Sequence, residues 1–311
     1  MNSSEKQIGI VAEAVRGTTP SAVGPPSAPA FLLLRDTGVD MAPDRPWQRS
    51  PERSANRRVL STYRGLNNNA GRISAPFVYD AALQKLIASL MQSDWSSDVL
   101  KDASTLQPFT VEEKFENGGT DIYKRTTGAV CVGGGLSVPA DGPAMWRFDT
   151  MALAEATATT ALANSTYVPA SSDDVFTAAD AVLTTFWGLT VPKIVSLELN
   201  ISQGARPQYQ WGSRDPWGTG LGQVSFSGRI ECYFTALTEY STFVDGELGD
   251  LVFTLGHTTG QKVTFSMLNA RGFAPGLPDA VNNGDQMVTI NFEAHHDAGD
   301  ASALKITRAV A

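Results

Sequence analysis

The chain has little of the chemistry on which enzymes and metalloproteins depend. It holds two cysteines in 311 residues, Cys131 and Cys232. Both lie among apolar neighbours and neither sits in a metal-spaced arrangement, so buried free thiols are expected, without a disulfide framework. The three histidines are His257, His295 and His296. A strand would point the adjacent pair of the His295-His296-Asp297 run to opposite faces, which makes them solvated strand-end residues and not a ligand set. There is no GxSxG elbow and no GxxxxGK[ST] loop, and Gly133-Gly134-Gly135 lacks the strand-to-helix context of a phosphate site. That run reads as flexible backbone at a turn or strand kink. The acid pairs Glu112-Glu113 and Asp173-Asp174 diverge on a strand or are solvated in a loop, so no catalytic pair is expected. No cofactor or metal is expected either.

Long apolar runs are missing too. No stretch approaches the roughly 18 residues that a membrane helix needs, so no membrane partner is expected. The N-terminal segment carries Glu5 and Glu13 and has no basic region followed by an apolar run, so it is not expected to act as a secretory signal. What is present is a globular composition, with 42% hydrophobic and 18% charged residues. The length exceeds that of a typical single domain, which favours two cores.

The formal net charge of -8 argues against nucleic acid as an adhesive ligand, because phosphate binding depends on Lys and Arg. The first half is nearly balanced and the second is acidic. Within the first half, Arg45, Arg49, Arg53, Arg57, Arg58, Arg64 and Arg72 face only Asp44 and Glu52 over residues 41–72. An acidic body thus extends an Arg-rich segment.

Periodicity is mostly of the short alternating kind, bounded by Gly, Pro, Asn and Asp, which indicates strands and turns. Phe109, Val111 and Phe115 share a strand face with Glu113, and Leu251, Phe253 and Leu255 form another. The clearest helix covers 80–90, with Leu83, Leu86, Ile87 and Leu90 on one stripe. A second is expected at 235–244, where Leu237, Tyr240 and Val244 repeat three of those positions at a constant offset. Each helix follows a strand ending at a tyrosine, Tyr79 or Tyr233, and each half closes with a similar strand, Trp146-x-Phe148 or Ile290-x-Phe292. The shared order points to internal duplication. The stretch between the halves is rich in small polar residues and reads as a linker with one short helix after Ser172. Residues 50–71 and 203–222 read as long loops of Gly, Pro, Arg and aromatic residues, the composition of interface hot spots.

These features together resemble the siphophage major tail tube family across nearly the full length. The segments carrying the likeness are EAVRGTTP, YDAALQKLIASLMQSDW, FTVEEKF, YKRTTGAV and GLSVPADGPAMWRFD, then YVPASSDDVFTAAD, VSLELNIS, RDPWGTGLGQVSFSGRIECYF and NFEAHHD. One departure is Ala75-Pro76, where a glycine like Gly228 is more usual. The resemblance implies a mainly β fold with a few helices: two similar tail-tube-type β-barrel or sandwich domains, each with one packed helix. Their bounds would be 1–157 and 185–311, with 158–184 as linker. It further implies a structural virion protein of the tail, made in the host bacterial cytoplasm, whose rings stack into a tube that passes phage DNA without holding it. Two copies per chain imply a trimeric, pseudo-six-fold ring. Expected partners are the chain itself, a tape measure protein, and tail terminator or distal tail proteins.

Contacts between rings are expected from Arg45, Trp47, Arg49, Arg53, Arg57, Arg58, Tyr63 and Arg64, with Arg214 and Trp217 in support. The alternatives are a baseplate hub or distal tail protein, which would stop at one ring, and a β-sandwich carbohydrate-binding module.

Overall fold

The computed structural model describes residues 6–20, 29–53, 56, 58–116, 119–233, 242–244, 246–273 and 285–310. Strand takes up 52% of the described residues and helix 6%, so the fold is mainly β. The first half runs β1 (Lys6–Ala12), β2 (Ala30–Leu33), β3 (Gly38–Asp40), β4 (Trp47–Arg49), β5 (Thr62–Arg64), β6 (Ala70–Pro76) and α1 (Ala81–Met91). It continues with β7 (Val99–Lys101), β8 (Phe109–Phe115), β9 (Ile122–Val138), β10 (Met145–Met151) and β11 (Ala154–Ala158). After β12 (Thr166–Val168) and a 3-10 turn at Ala178–Asp180 come β13 (Ala181–Phe186), β14 (Ile194–Ser202), β15 (Arg206–Gln208) and β16 (Gly218–Gly220). The chain closes with β17 (Ser225–Tyr233), β18 (Leu248–Leu255), β19 (Lys262–Phe273), β20 (Met287–Ala294) and β21 (Lys305–Val310).

The helix forms where its sequence requires. Asp80 caps it by accepting from the Ala82 amide, and Leu83, Leu86, Ile87 and Leu90 are buried as one stripe. It ends as Gln92 turns left-handed at φ 51. The last carbonyls need donors, and the Gln92 amide bonds Ser89 O at 2.8 Å while Gln203, from the second half, bonds Leu90 O at 2.6 Å. Of the helix expected at 235–244, residues 235–241 lie outside the described residues; 242–244 are helical and Phe243 is buried.

Antiparallel pairing runs β3–β6–β10–β9–β8–β1 in the first half and β14–β17–β20–β19–β18–β13 in the second. Both sequences visit their members in the same chain order. β9 serves two sheets. Its lower part lies between β8 and β11, and its upper part, 133–138, lies between β10 and β14. β19 likewise carries β18 and β21 on opposite sides of its lower part and β20 on its upper part.

The halves meet at two strand joints, β9–β14 and β7–β21. Behind them Phe265 of the second half lies 6.3 Å from Phe77 and 6.2 Å from Trp146 of the first. A fully buried Phe is worth roughly 1.5–3 kcal/mol, so this contact ties the two halves' packing together.

One expectation narrows in the structure and another changes. Of the turn or strand kink expected at 133–135, the run is the second, lying inside β9 just after a bulge. Flanking strands crowd it from both sides, since a Cβ at Gly134 would come within 2.2 Å of Arg147 O and one at Gly135 within 2.4 Å of Leu199 O. Residues 158–184, read as a polar linker, contain two aromatic anchors. Phe176 is buried edge-on against Phe77 at 5.0 Å, and Tyr167 stacks on Phe31 at 5.6 Å. The short helix expected after Ser172 is the 3-10 turn, closed by a Thr177–Asp180 capping box. At Ala75-Pro76 the pairing of β6 with β10 continues unbroken.

Candidate assembly interface

Two arms leave the body at corresponding places, between β3 and β6 and between β14 and β17. The first was expected as a long loop and is a β-hairpin, with Trp47 opposite Arg64, Gln48 opposite Tyr63 and Arg49 opposite Thr62. Reciprocal bonds between Asp44 and Asn68, at 2.8 and 2.9 Å, close its root. Arg45 reaches Glu155 of β11 at 3.5 Å and anchors that root to the body. Beyond it, Arg49, Arg53 and Arg58 are exposed, Trp47 is 68% exposed, and Tyr63, also exposed, donates to Gln48 at 2.7 Å. Arg64 is half-buried, and Arg57 lies outside the described residues.

The second arm is the β15–β16 hairpin, with Arg206 opposite Gly220 and Gln208 opposite Gly218. Trp217 is 56% exposed, and Trp211 near the tip is fully exposed. The arms touch at their roots. The Asn67 amide donates to Arg214 O at 2.9 Å, its side-chain nitrogen to Asp215 at 2.7 Å, and its carbonyl accepts from Tyr209 at 2.8 Å. Burial, and then the Asp215 charge, raises the Tyr209 pKa and keeps its hydroxyl a donor. The Arg-rich segment and Arg214–Trp217, separated by some 150 residues in sequence, therefore form one surface.

The EAVRGTTP segment secures this surface to the body. Buried Glu13 accepts from Thr110, Gly128 and Gly17 at 2.6, 2.9 and 2.6 Å. Arg16 then bonds Gly128 O at 3.1 Å and Thr219 of the second arm at 2.7 Å. Desolvation lowers the Arg16 pKa, opposed by Glu13.

Sequence reasoning missed four exposed apolar residues on the arms: Trp211, Val59, Leu60 and Leu66. A tryptophan flanked by Gln210 and Gly212 in a polar loop was the available signal, since Trp is a residue type enriched in interface hot spots.

A second surface spans the joined sheet. Directly opposed residues share a face, and one row reads Asp40, Arg72, Asp149, Gly133, Ser202 and Ser225 across six strands. The next reads Gly38, Ser74, Arg147, Gly135, Asn200, Ser227, Glu293 and Arg271. The face is small and polar, while the alternate residues Ile73, Phe148, Leu199 and Phe292 are buried behind it. Three of its guanidiniums sit beside carboxylates, Arg72 to Asp149 at 2.8 Å, Arg147 to Asp149 at 3.5 Å and Arg229 to Glu198 at 3.7 Å, while Arg271 donates to Gly246 O at 2.8 Å.

The Glu112-Glu113 pair is taken up in ion pairs and hydrogen bonds. Glu112 bonds Arg125 at 2.6 Å and Tyr167 at 2.6 Å, whereas Glu113 turns the other way to Lys6 at 2.6 Å and Lys124 at 3.1 Å. His295 and His296 are exposed just past the end of β20. Cys131 and Cys232 are both buried, and burial raises the Cys131 pKa. Among the described residues, no group of three or more His, Cys, Asp or Glu could hold an ion, and no helix is long and apolar enough to cross a membrane.

A sequence model of the family described as phage tail tube protein matches residues 3–294. No curated protein matches the chain.

Proposed function

The chain belongs to the phage tail tube protein family, and from that premise we propose that it builds the tube as a double-length subunit. Each chain contributes two fused copies of one strand plan, and three chains close a ring of six. The observation that carries this reading is the matched pairing order of the halves, with β14 of the second half seated on β9 of the first. A joint of this kind, repeated between chains, converts open edges into continuous sheet and limits growth to a closed ring.

In this reading the polar face of the joined sheet lines the channel. Duplex DNA binds where cationic groups displace its counterions. Arginines already beside carboxylates offer little of that gain, so DNA slides past a wall that does not hold it. The two arms point to the neighbouring ring. A head-to-tail contact joins unlike surfaces and generates a filament, and exposed Arg and Trp residues supply its anchors. Tape measure and terminator or distal tail proteins would meet the inner face and the two ends of the tube.

Negative-stain microscopy of the purified protein at high concentration tests this. Long hollow filaments are expected; single rings that never stack would identify a hub, and isolated monomers would reject the reading.

A further inference from the structure

The halves differ in how the outer edge of their opening strand is covered. The Glu13 amide donates to Pro108 O at 2.9 Å and the Trp187 amide to Asp250 O at 2.8 Å, each just past the end of its strand. β1 and β13 therefore correspond, and Ile8 and Ile10 match Ala181 and Leu183. In the first half, residues 13–37 lead on to β3, and part of them returns as β2, which pairs antiparallel with β1 at Gly9–Leu33 and Ile10–Leu32. The Leu34 amide extends this ladder by donating to Ile8 O at 3.0 Å. β12 then pairs with β2 in turn.

The second half has no such cover among the described residues. Only residues 187–193 join β13 to β14. Pro192 stands at the same distance before Leu199 as Leu32 does before Val39, and it has no N–H to give a ladder. β13 pairs with β18 alone. Asp180 O accepts from Gly256 on the β18 side, so alternation turns the peptide groups of Ala181 and Leu183 outward, as that of Ile8 is turned to β2. Across from them β14 is also one-sided at its start, because its pairing with β9 begins at Leu197. Between the two runs lies a groove of about 320 Å³, lined by Val138, Leu183, Ile194 and Leu255 and by Val182 and Val191, which are 57% and 41% exposed. An open strand edge beside an apolar groove is the geometry by which an extended peptide adds to a sheet.

We propose that this groove takes an extended apolar segment of a different protein, added to β13 as β2 is added to β1. This rests on the reading of two fused copies. A contact between ring positions has to recur in both halves, whereas this site is filled from within the chain in one half and open in the other. The occupant is therefore not a second copy. Its chemistry follows from the first half, where β2 is Ala30-Phe31-Leu32-Leu33, short, uncharged and free of proline. Its register follows too: two partner residues lie against Val182 and Leu183 as Leu33 and Leu32 lie against Gly9 and Ile10.

Hydrogen exchange of the full, unassembled chain with a synthetic peptide of residues 29–35, PAFLLLR, tests the site, because that strand already fits the same edge in the other half. The Ala181 and Leu183 amides should slow saturably as peptide is added. The slowing should be lost when the peptide carries Leu32→Pro and Leu33→Pro. It should be lost again when the chain carries Val182→Glu with Val191→Glu, two exposed changes that leave the thermal transition in place. No slowing, or slowing that survives either change, would overturn the site. The same slowing on polymerisation without peptide would make a second copy the occupant and overturn the assignment to a different protein. Absence of any ring or filament from the unaltered chain would instead overturn the tube reading, on which the peptide measurement does not depend.

Discussion

The two halves of the chain follow one pairing order and differ in what lies on their outer edges. In the first half the upper part of β9 is built into the body by β14, and glycines let the strands approach. In the second half the corresponding part of β19 carries Arg271 and Phe273, and Phe273 is 44% exposed. The difference shows that one pairing order can carry two unlike edges in the same molecule. The same contrast holds for the arms. Their roots are hydrogen-bonded to each other and to the body, while their outer parts expose Trp47, Trp217 and Trp211.

The largest effect should come from the arms. Arg53→Glu, Arg57→Glu and Arg58→Glu together should leave stability within about 0.5 kcal/mol, as expected for surface changes, yet abolish filaments. Arg214→Glu with Trp217→Ala should shorten them. Filament lengths in micrographs and melting curves check both, and normal filaments from the triple variant would contradict the role given to the first arm.

Next is Phe265→Ala, which empties the contact shared by both halves and should cost about 3–5 kcal/mol. A single transition shifted as a whole is expected in calorimetry; two transitions, with only one moved, would mean that the halves are energetically separate. Gly135→Val should cost about 1–3 kcal/mol, because its Cβ meets the Leu199 carbonyl. Phe273→Val, at the corresponding exposed position, should stay within about 0.5 kcal/mol. Equal losses in denaturant titrations would erase the difference between the two edges.

The smallest effect concerns Tyr167. Burial, and then its bond to Glu112, raises the hydroxyl's pKa to about 12. The folded state therefore holds this proton more tightly than the unfolded chain, whose phenol titrates near 10. The contribution should be complete below pH ~10 and fade as pH rises toward ~12. Tyr167→Phe should remove that part of the pH dependence of melting and lower stability by about 1 kcal/mol.

Much of the architecture was legible because local pattern and packing agree. The stripe Leu83, Leu86, Ile87 and Leu90 is the buried face of α1, Leu251, Phe253 and Leu255 are buried in β18, and the closing strands with Phe148 and Phe292 are where the pattern put them. The arms escaped as hairpins because Trp47-Gln48-Arg49 and Thr62-Tyr63-Arg64 are solvated on both faces, so no alternation marks them. Phe176 escaped because one aromatic among Ser, Asp and Ala gives no periodicity, and its burial depends on Phe77, about a hundred residues away. The role of Gly135 depends on Leu199, a long-range pairing that composition does not encode. The arms' partnership through Asn67 was hidden for the same reason, although their residue types had already suggested an interface.

The most direct test of the central claim is native mass spectrometry of the smallest assembled ring, supported by end-on views of the tube. Three chains with six-fold pseudosymmetry are predicted, with alternate joints internal to a chain. Six chains in one ring would contradict two ring positions per chain.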